Sequence, residues 1–290
     1  MKVSGFTFLR NGSLLGYPFI ASIRSILPIV DEFVVAAGAG EDDTLDQLRA
    51  LQREEPRIRI LETTWNDRMA QRGFVYAQQK MIAQYGCGGD WAFYLEGDEV
   101  VHEDDLPAIR AAMERHLDDP RVEALVFDYL HFYGVPGQLA VSPAWYRREA
   151  RIIRNTIRSY APDGQFWVVP SRTRSSRFPR AAPSGGRVFH YGHVRAAARM
   201  AAKCRAVSRY WDQAGPERFD YGRIDPAALA PFHGTHPAAA RDWLAAEAEQ
   251  RFALDPTYRP TRRERKHRLA MRLERWLGLD LSKRHFTLVR

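Results

Sequence analysis

The stretch Trp91-Ala92-Phe93-Tyr94-Leu95-Glu96-Gly97-Asp98-Glu99 decides the reading of this chain. An apolar run ends abruptly in three carboxylates around a glycine. A short apolar run bounded in this way reads as a buried strand. In an α/β sheet, ligands bind at the ends of such strands. Carboxylate oxygens are hard donors that suit Mg²⁺ or Mn²⁺, ions that commonly bridge a protein carboxylate and a phosphate. The same residues also read as a solvated acidic turn closing a core strand.

Upstream, Val3 to Leu9 and Glu32 to Ala37 have the same apolar character, and Arg57 to Glu62 alternates as a half-buried strand does. Between them lie three helically spaced segments. They are Tyr17 to Leu27, ended by Pro28; Thr44 to Glu54, with Leu45, Leu48 and Leu51 on one face; and Phe74 to Tyr85. Strand and helix alternate with short connections, which predicts an α/β fold with a mostly parallel central sheet covered on both faces. Downstream, the spacing predicts a helix over Leu106 to His116 and strands over Ala124 to Tyr133 and Glu149 to Asn155. Pro162 to Gly186 is turn-rich and reads as irregular. From Ala196 onward the chain reads as mostly helical, including an alanine-rich segment over Pro237 to Phe252. The expected division is a catalytic α/β domain over residues 1–200 and a helical, basic extension over residues 201–290.

The chain has 290 residues, 45% hydrophobic and 27% charged, enough for a sizeable core. Two cysteines, Cys87 and Cys204, make neither a disulfide framework nor a zinc site, which points to a reducing, cytoplasmic setting. The first residues lack a signal-peptide pattern, and no apolar run approaches the length of a membrane span. A net charge of +8 favours polyanionic partners: nucleic acid, anionic lipid or phosphorylated substrates.

Other motifs carry two readings each. Arg10-Asn11-Gly12 after the first strand is a turn or a nucleotide contact. In Gly38-Ala39-Gly40-Glu41-Asp42-Asp43-Thr44, the glycines permit close approach of a ligand, while Asp42 or Asp43 can cap the following helix. Glu103, Asp104 and Asp105 read as caps of the helix beginning near Pro107. In Phe189-His190-Tyr191-Gly192-His193-Val194-Arg195, a neutral histidine can complete a metal shell and an arginine can pair with phosphate. Asp163 sits in Pro162-Asp163-Gly164, a tripeptide common in turns. The tail from Thr261 interleaves arginine and lysine with Leu269, Leu273, Trp276 and Leu277. It reads as an amphipathic helix packed on the domain, or as one docked peripherally on anionic membrane.

In their order along the chain, these motifs resemble family 2 glycosyltransferases with the Rossmann-like GT-A fold. The matching pieces are Phe8-Leu9-Arg10-Asn11, Asp31 to Val35 leading into Gly40 to Thr44, and Tyr94 to Glu99 as a DxD-type signature. Trp145 to Glu149, Arg154-Asn155 and His190-Tyr191-Gly192 fit a bacterial subgroup, and the similarity covers roughly residues 3 to 240. Four positions depart from the pattern. Gly12 stands where many members have an acid, Ala36 and Ala37 where many have an aspartate, and Glu96 is the first acid of the DxD motif.

The resemblance implies an inverting, metal-dependent hexosyltransferase that moves a sugar from a nucleotide-diphosphate donor to an acceptor hydroxyl in cell-surface glycan synthesis. It implies Mn²⁺ or Mg²⁺ held by Asp98, with Glu96 and His190 as further ligands. It places Arg10, Asn11, Asp42, Asp43, Arg72, Glu96, Arg195 and Lys203 against the nucleotide diphosphate. The general base is expected at Asp163, with Glu149 as runner-up. The expected partners are a nucleotide sugar and a glycan or lipid-linked acceptor. The setting is cytoplasmic, with peripheral contact at the inner face of the membrane. Nucleic acid is not expected, because no recognised nucleic-acid motif appears. Two rival functions are a nucleotidyltransferase, which usually carries an early glycine-rich basic loop, and an inactive family member serving as a binding scaffold.

Overall fold

The computed structural model describes residues 1–69, 71–171, 175–211, 215–247 and 252–289. The first half alternates as the spacing predicts. Strands β1 (Val3–Leu9), β2 (Glu32–Gly38), β3 (Ile58–Thr63) and β4 (Trp91–Tyr94) are separated by helices α1 (Phe19–Ile26), α2 (Thr44–Glu54) and α3 (Phe74–Tyr85). They pair in parallel in the order β3-β2-β1-β4. Alternate residues of these strands enter two separate cores. Val3, Phe33, Val35, Trp91 and Phe93 pack on one side, and Phe6, Val34, Ala36, Ala92 and Tyr94 on the other. That two-sided burial is why the strands read as continuous apolar runs. Close packing explains Gly5, where a Cβ would lie 2.5 Å from the Phe33 ring.

After β4 come β5 (Glu99–Val101), α4 (Leu106–Arg115), β6 (Ala124–Tyr133), β7 (Val135–Ala140) and β8 (Arg148–Arg154). Strand β8 inserts antiparallel between β4 and β6, so β6 runs the same way as β4. A small pair, β9 (Val169–Pro170) and β10 (Ser176–Arg177), precedes β11 (Arg180–His193). Strand β11 runs parallel to β6 and antiparallel to β5. Helix α5 (Ala197–Ser208), β12 (Leu229–Pro231), α6 (Arg241–Ala246), α7 (Arg262–Leu277) and β13 (Thr287–Leu288) complete the chain. The result is an eleven-stranded, mostly parallel central sheet flanked by helices. Strands β12 and β13 return to it, pairing with β7 and β11.

Several expectations change. The end of the stretch read as irregular belongs to β11, because Pro183-Ser184-Gly185-Gly186 forms a bulge, not a turn. Gly185 takes φ +76°, and the register with β6 slips between Pro183 and Arg187. Residues 172–174 of that stretch, and 248–251 of the expected alanine-rich helix, lie outside the described residues. The acids after His102 do not cap as expected. The His102 imidazole accepts the Asp104 N–H, while Asp105 clamps Arg187 through its backbone N–H and guanidinium. Helix α7 is opened by a Thr261–Glu264 capping box and closed by Gly278 in the left-handed conformation. It is tethered by Arg268 to Asp225 and by Glu274 to Arg147, rather than by its leucines. Leu269, Leu273, Trp276 and Leu277 remain exposed.

Arg154 and Asn155, two of the residues that carry the sequence resemblance, tie the loops beneath the sheet. Arg154 donates to the carbonyl oxygens of Val122, Leu117, His116 and Asp119. The Asn155 amide donates to those of Cys87 and Gly89. Both side chains bind loop carbonyl oxygens, of which those of His116 and Asp119 also accept a backbone N–H.

Candidate functional site

A cavity of about 350 Å³ opens at the carboxyl ends of β1 and β4, within the size range of small-molecule sites. The Thr7 hydroxyl donates to Leu95 O, and Ser22 Oγ donates to Glu96 O, fixing the backbone as it leaves β4. Gly97 lets the turn lie on β1, since a Cβ there would stand 2.8 Å from Leu9. The three acids that follow have different surroundings.

Glu99 is fully buried and saturated. Its carboxylate accepts from Arg151 twice (2.7 and 2.8 Å), from Tyr129 OH (2.7 Å) and from the Glu96 N–H (3.0 Å). Glu96 accepts one bond from Arg151 at 3.1 Å and keeps about a third of its side chain open to the cavity. Burial and the neighbouring Glu99 push its carboxyl up to about 7, against the pull of Arg151. Asp98 is buried, which opposes its charge, yet Lys203 at 2.7 Å and Arg195 at 3.5 Å hold its carboxyl well below the usual range.

A chain of two histidines fixes the other side of Asp98. The β11–β6 register sets His190 opposite His131. His131 Nε2 lies 2.7 Å from Tyr146 O, which only accepts, so this nitrogen carries the proton. Burial pushes the His131 imidazole down to about 4, so the ring is neutral and its Nδ1 holds a lone pair. His190 Nδ1, 2.8 Å away, must therefore donate to it. Burial also holds His190 well below its ordinary value, leaving a lone pair on Nε2. That lone pair stands 3.7 Å from Asp98 Oδ1. Two electron-pair donors at this separation, not bonded to each other, suit a shared cation. Metal–ligand bonds of about 2.0–2.1 Å place neighbouring ligands roughly 3–4 Å apart. No cluster of three or more His, Cys, Asp or Glu side chains among the described residues could hold an ion alone. Asp98 and His190 could therefore hold an ion only with further ligands from outside these side chains.

Aromatic rings form one wall. Trp65, Tyr76, Tyr210 and Trp211 pack edge-on or tilted at 5.0 to 5.7 Å between centroids. Arg10 lies over Trp65, donates to Asp67 at 3.1 Å and keeps a buried Nε without a partner among the described residues. Lys80 is buried beneath the cavity over the Tyr94 and Trp167 rings and donates to Gln165 O at 3.1 Å. Burial, and then Arg151, lower its ammonium to about 7.

Of the residues expected at the site, Arg10, Asn11, Glu96, Asp98, Glu149, His190 and Lys203 line the cavity. Asp42, Asp43, Arg72, Asp163 and Arg195 are not among its lining residues. The Asp42 carboxylate is taken by the backbone N–H groups of Leu14 and Thr44. Asp43 accepts from Gln47. Arg72 sits at φ +50° in the turn before α3. Asp163 accepts the Gln165 N–H in its own turn, the ordinary use of that tripeptide. Arg195 is fully buried against Leu15 O, Tyr191 O and the Tyr17 ring, so it serves Asp98 from below. Arg151, His131, Lys80 and His285 were not singled out. Arg151 and His131 lie on recognisable strands, but nothing local marks them. His285 reaches the cavity wall from the far end of the chain.

A scan against models of protein families finds no match. A search of curated proteins finds none either. Among solved structures, the chain is similar to S. aureus TarS, with 17% identity and a TM-score of 0.37 over 53% of this chain and 28% of that one. TarS 1-349 in complex with UDP gives the same identity, TM-score and coverage of this chain, over 47% of its own length. Glucosyl-3-phosphoglycerate synthase from Mycobacterium tuberculosis, in complex with Mn²⁺, UDP and phosphoglyceric acid, gives 19% identity and a TM-score of 0.29 over 46% of this chain and 43% of that one. The chain thus spans less than half the length of each.

The neutral histidines predict an acid-sensitive fold. The His131 value lies below that of the unfolded chain, so its contribution is present above about pH 6.5 and fades as pH falls toward 4. Stability should drop by roughly 2–3 kcal/mol over that window. His131→Phe should flatten the decline, as read from urea unfolding midpoints at pH 7 and pH 5. An equal decline in both proteins would contradict the assignment.

Proposed function

We propose that this chain is a glycosyltransferase of the family 2 type, moving a sugar from a nucleotide-diphosphate donor to an acceptor hydroxyl. The observation that carries the reading is the Asp98 Oδ1 and His190 Nε2 pair, held 3.7 Å apart at the end of β4 in a cavity with an aromatic wall. Asp98 and His190 would hold a divalent cation, which when bound supplies Lewis-acid stabilisation of the departing diphosphate. Lys203, which also donates to Gly192 O, keeps Asp98 ionised and adds positive charge at the same edge. Arg10 presents its guanidinium from the β1 side. Glu96, bonded to Arg151, faces the cavity with one polar edge free for a ribose or sugar hydroxyl. The aromatic wall excludes water from the reacting bond.

The role in cell-surface glycan synthesis, the glycan or lipid-linked acceptor and the cytoplasmic setting belong to the same proposal. So does the assignment of residues 1–200 as the catalytic domain and 201–290 as an extension. Lys203 and His285, both from the extension, line the cavity. No helix among the described residues is long and apolar enough to cross a membrane. Helix α7 instead exposes Leu269, Leu273, Trp276 and Leu277 beside Arg265, Lys266, Arg272 and Arg275. That combination matches an anionic bilayer in both charge and apolar depth, and we assign peripheral docking to it.

Thermal melts with UDP, GDP, CDP and dTDP, each with Mn²⁺, should show one nucleotide raising Tm by roughly 5 °C at a hundredfold excess over Kd. Asp98→Asn should remove the Mn²⁺-dependent part of that shift; no shift with any nucleotide would sink the reading. The attacking hydroxyl approaches opposite the leaving diphosphate, so NMR should find the product anomer inverted, and a retained anomer would exclude direct displacement. For α7, co-sedimentation with phosphatidylserine vesicles should exceed that with phosphatidylcholine. Trp276→Ala should reduce it severalfold, and equal pelleting with both lipids would refute docking.

A further inference from the structure

Two side chains in the cavity wall have no part in the account above: Glu149 and His285. Glu149 lies near the start of β8, almost fully buried. Its Oε1 accepts the Ala150 N–H at 2.9 Å, and its Oε2 lies 2.6 Å from His285 Nδ1. His285 comes from the tail, which is fastened to the sheet on its other side. Thr287 N donates to Pro179 O and Val289 N to Ala181 O, both at 2.9 Å, as β13 lies along β11. Phe286 is buried in the core that holds Phe6 and Trp167. The imidazole is clamped against Phe166, with centroids 4.2 Å apart and planes 9° apart, and Phe178 meets it edge-on.

A carboxylate oxygen accepts, so His285 Nδ1 carries the proton toward Glu149. In the neutral ring the lone pair is then on Nε2. That atom has no hydrogen-bond partner among the described residues, and the ring lines the cavity. A buried carboxylate that orients an imidazole and leaves its outer nitrogen free is the arrangement by which a general base is held in one tautomer. The sheet order gives the pair its place. Strand β8 adjoins β4 on the side away from β1. The pair therefore lies across the β4 carboxylates from Arg10 and Asn11, where the nucleotide is assigned.

We propose that His285 is the general base of the transfer, and that Glu149 is its positioning residue. This rests on the glycosyltransferase reading. The acceptor O–H bond breaks and its proton passes to His285 Nε2. The oxygen's electron pair forms the new bond to the anomeric carbon, while the pair of the old C–O bond leaves with the diphosphate. The Glu149 carboxylate, 2.6 Å from His285 Nδ1, stabilises the imidazolium. The C-terminal tail thus completes the active site, and Asp163 is not required.

The test uses the full chain and the glucose conjugates of UDP, GDP, CDP and dTDP, reading nucleoside diphosphate release. His285→Ala should lower kcat by about 10²–10⁴, with the nucleotide-induced thermal shift unchanged. Added imidazole should restore part of the rate, which a tail-pinning role would not produce. Glu149→Gln should lower kcat without raising KM. A wild-type kcat in His285→Ala overturns the proposal, as does a lost rate that imidazole does not restore. Absence of both release and thermal shift in the wild type overturns the glycosyltransferase reading itself, and this inference with it.

Discussion

Three carboxylates in four residues at the buried end of β4 must each find a positive or donating group, and much of the later fold supplies them. An unpaired buried charge costs several kcal/mol, so these partners are structural requirements as much as functional ones. Strand β8 brings Arg151 to Glu99 and Glu96. Strand β6 brings Tyr129 to Glu99. The end of β11 and helix α5 bring Arg195 and Lys203 to Asp98. The antiparallel insertion of β8 into an otherwise parallel run follows the same logic. Only a strand running that way sets its first residues, Glu149 and Arg151, at the carboxyl ends of its neighbours.

Matching is deliberately uneven in its outcome. Glu99 is fully satisfied and acts as a keystone for Arg151. Among the described residues, Lys203 and Arg195 meet one Asp98 oxygen, and the other meets the lone pair that Tyr146 O fixes through His131 and His190. A backbone carbonyl that can only accept thereby sets the proton positions on two rings and leaves electron pairs facing the cavity. The stability of the network and its readiness for a cation have a single origin.

The first four strands and three helices were legible in the sequence because burial on both faces leaves dense apolar runs that periodicity detects. Strand β11 was not, because Pro183, Ser184, Gly185 and Gly186 have turn chemistry and yet form a bulge within a paired strand. Within the candidate site, Glu96 and Asp98 stood out because they follow an apolar strand, and His190 because of its Phe189-His190-Tyr191-Gly192-His193 motif, although it lies inside β11. Arg195 and Lys203 were expected at a diphosphate, but burial turns Arg195 toward Asp98 and carbonyl oxygens instead. The Asp163 carboxylate accepts the Gln165 N–H within its own turn, a local use that the Pro-Asp-Gly tripeptide already suggested. His285 carried no signal, because its role depends on a parallel pairing between segments about a hundred residues apart.

The central claim is that Asp98 and His190 form an open, two-ligand cation site that a nucleoside diphosphate completes. Anomalous diffraction at the manganese edge, from crystals grown with Mn²⁺ and the nucleotide that raises Tm, tests it most directly. The account predicts a single strong peak between Asp98 Oδ1 and His190 Nε2, with diphosphate oxygens in its shell. A bound diphosphate contacting Lys203 and Arg10 with no peak at that position would contradict it.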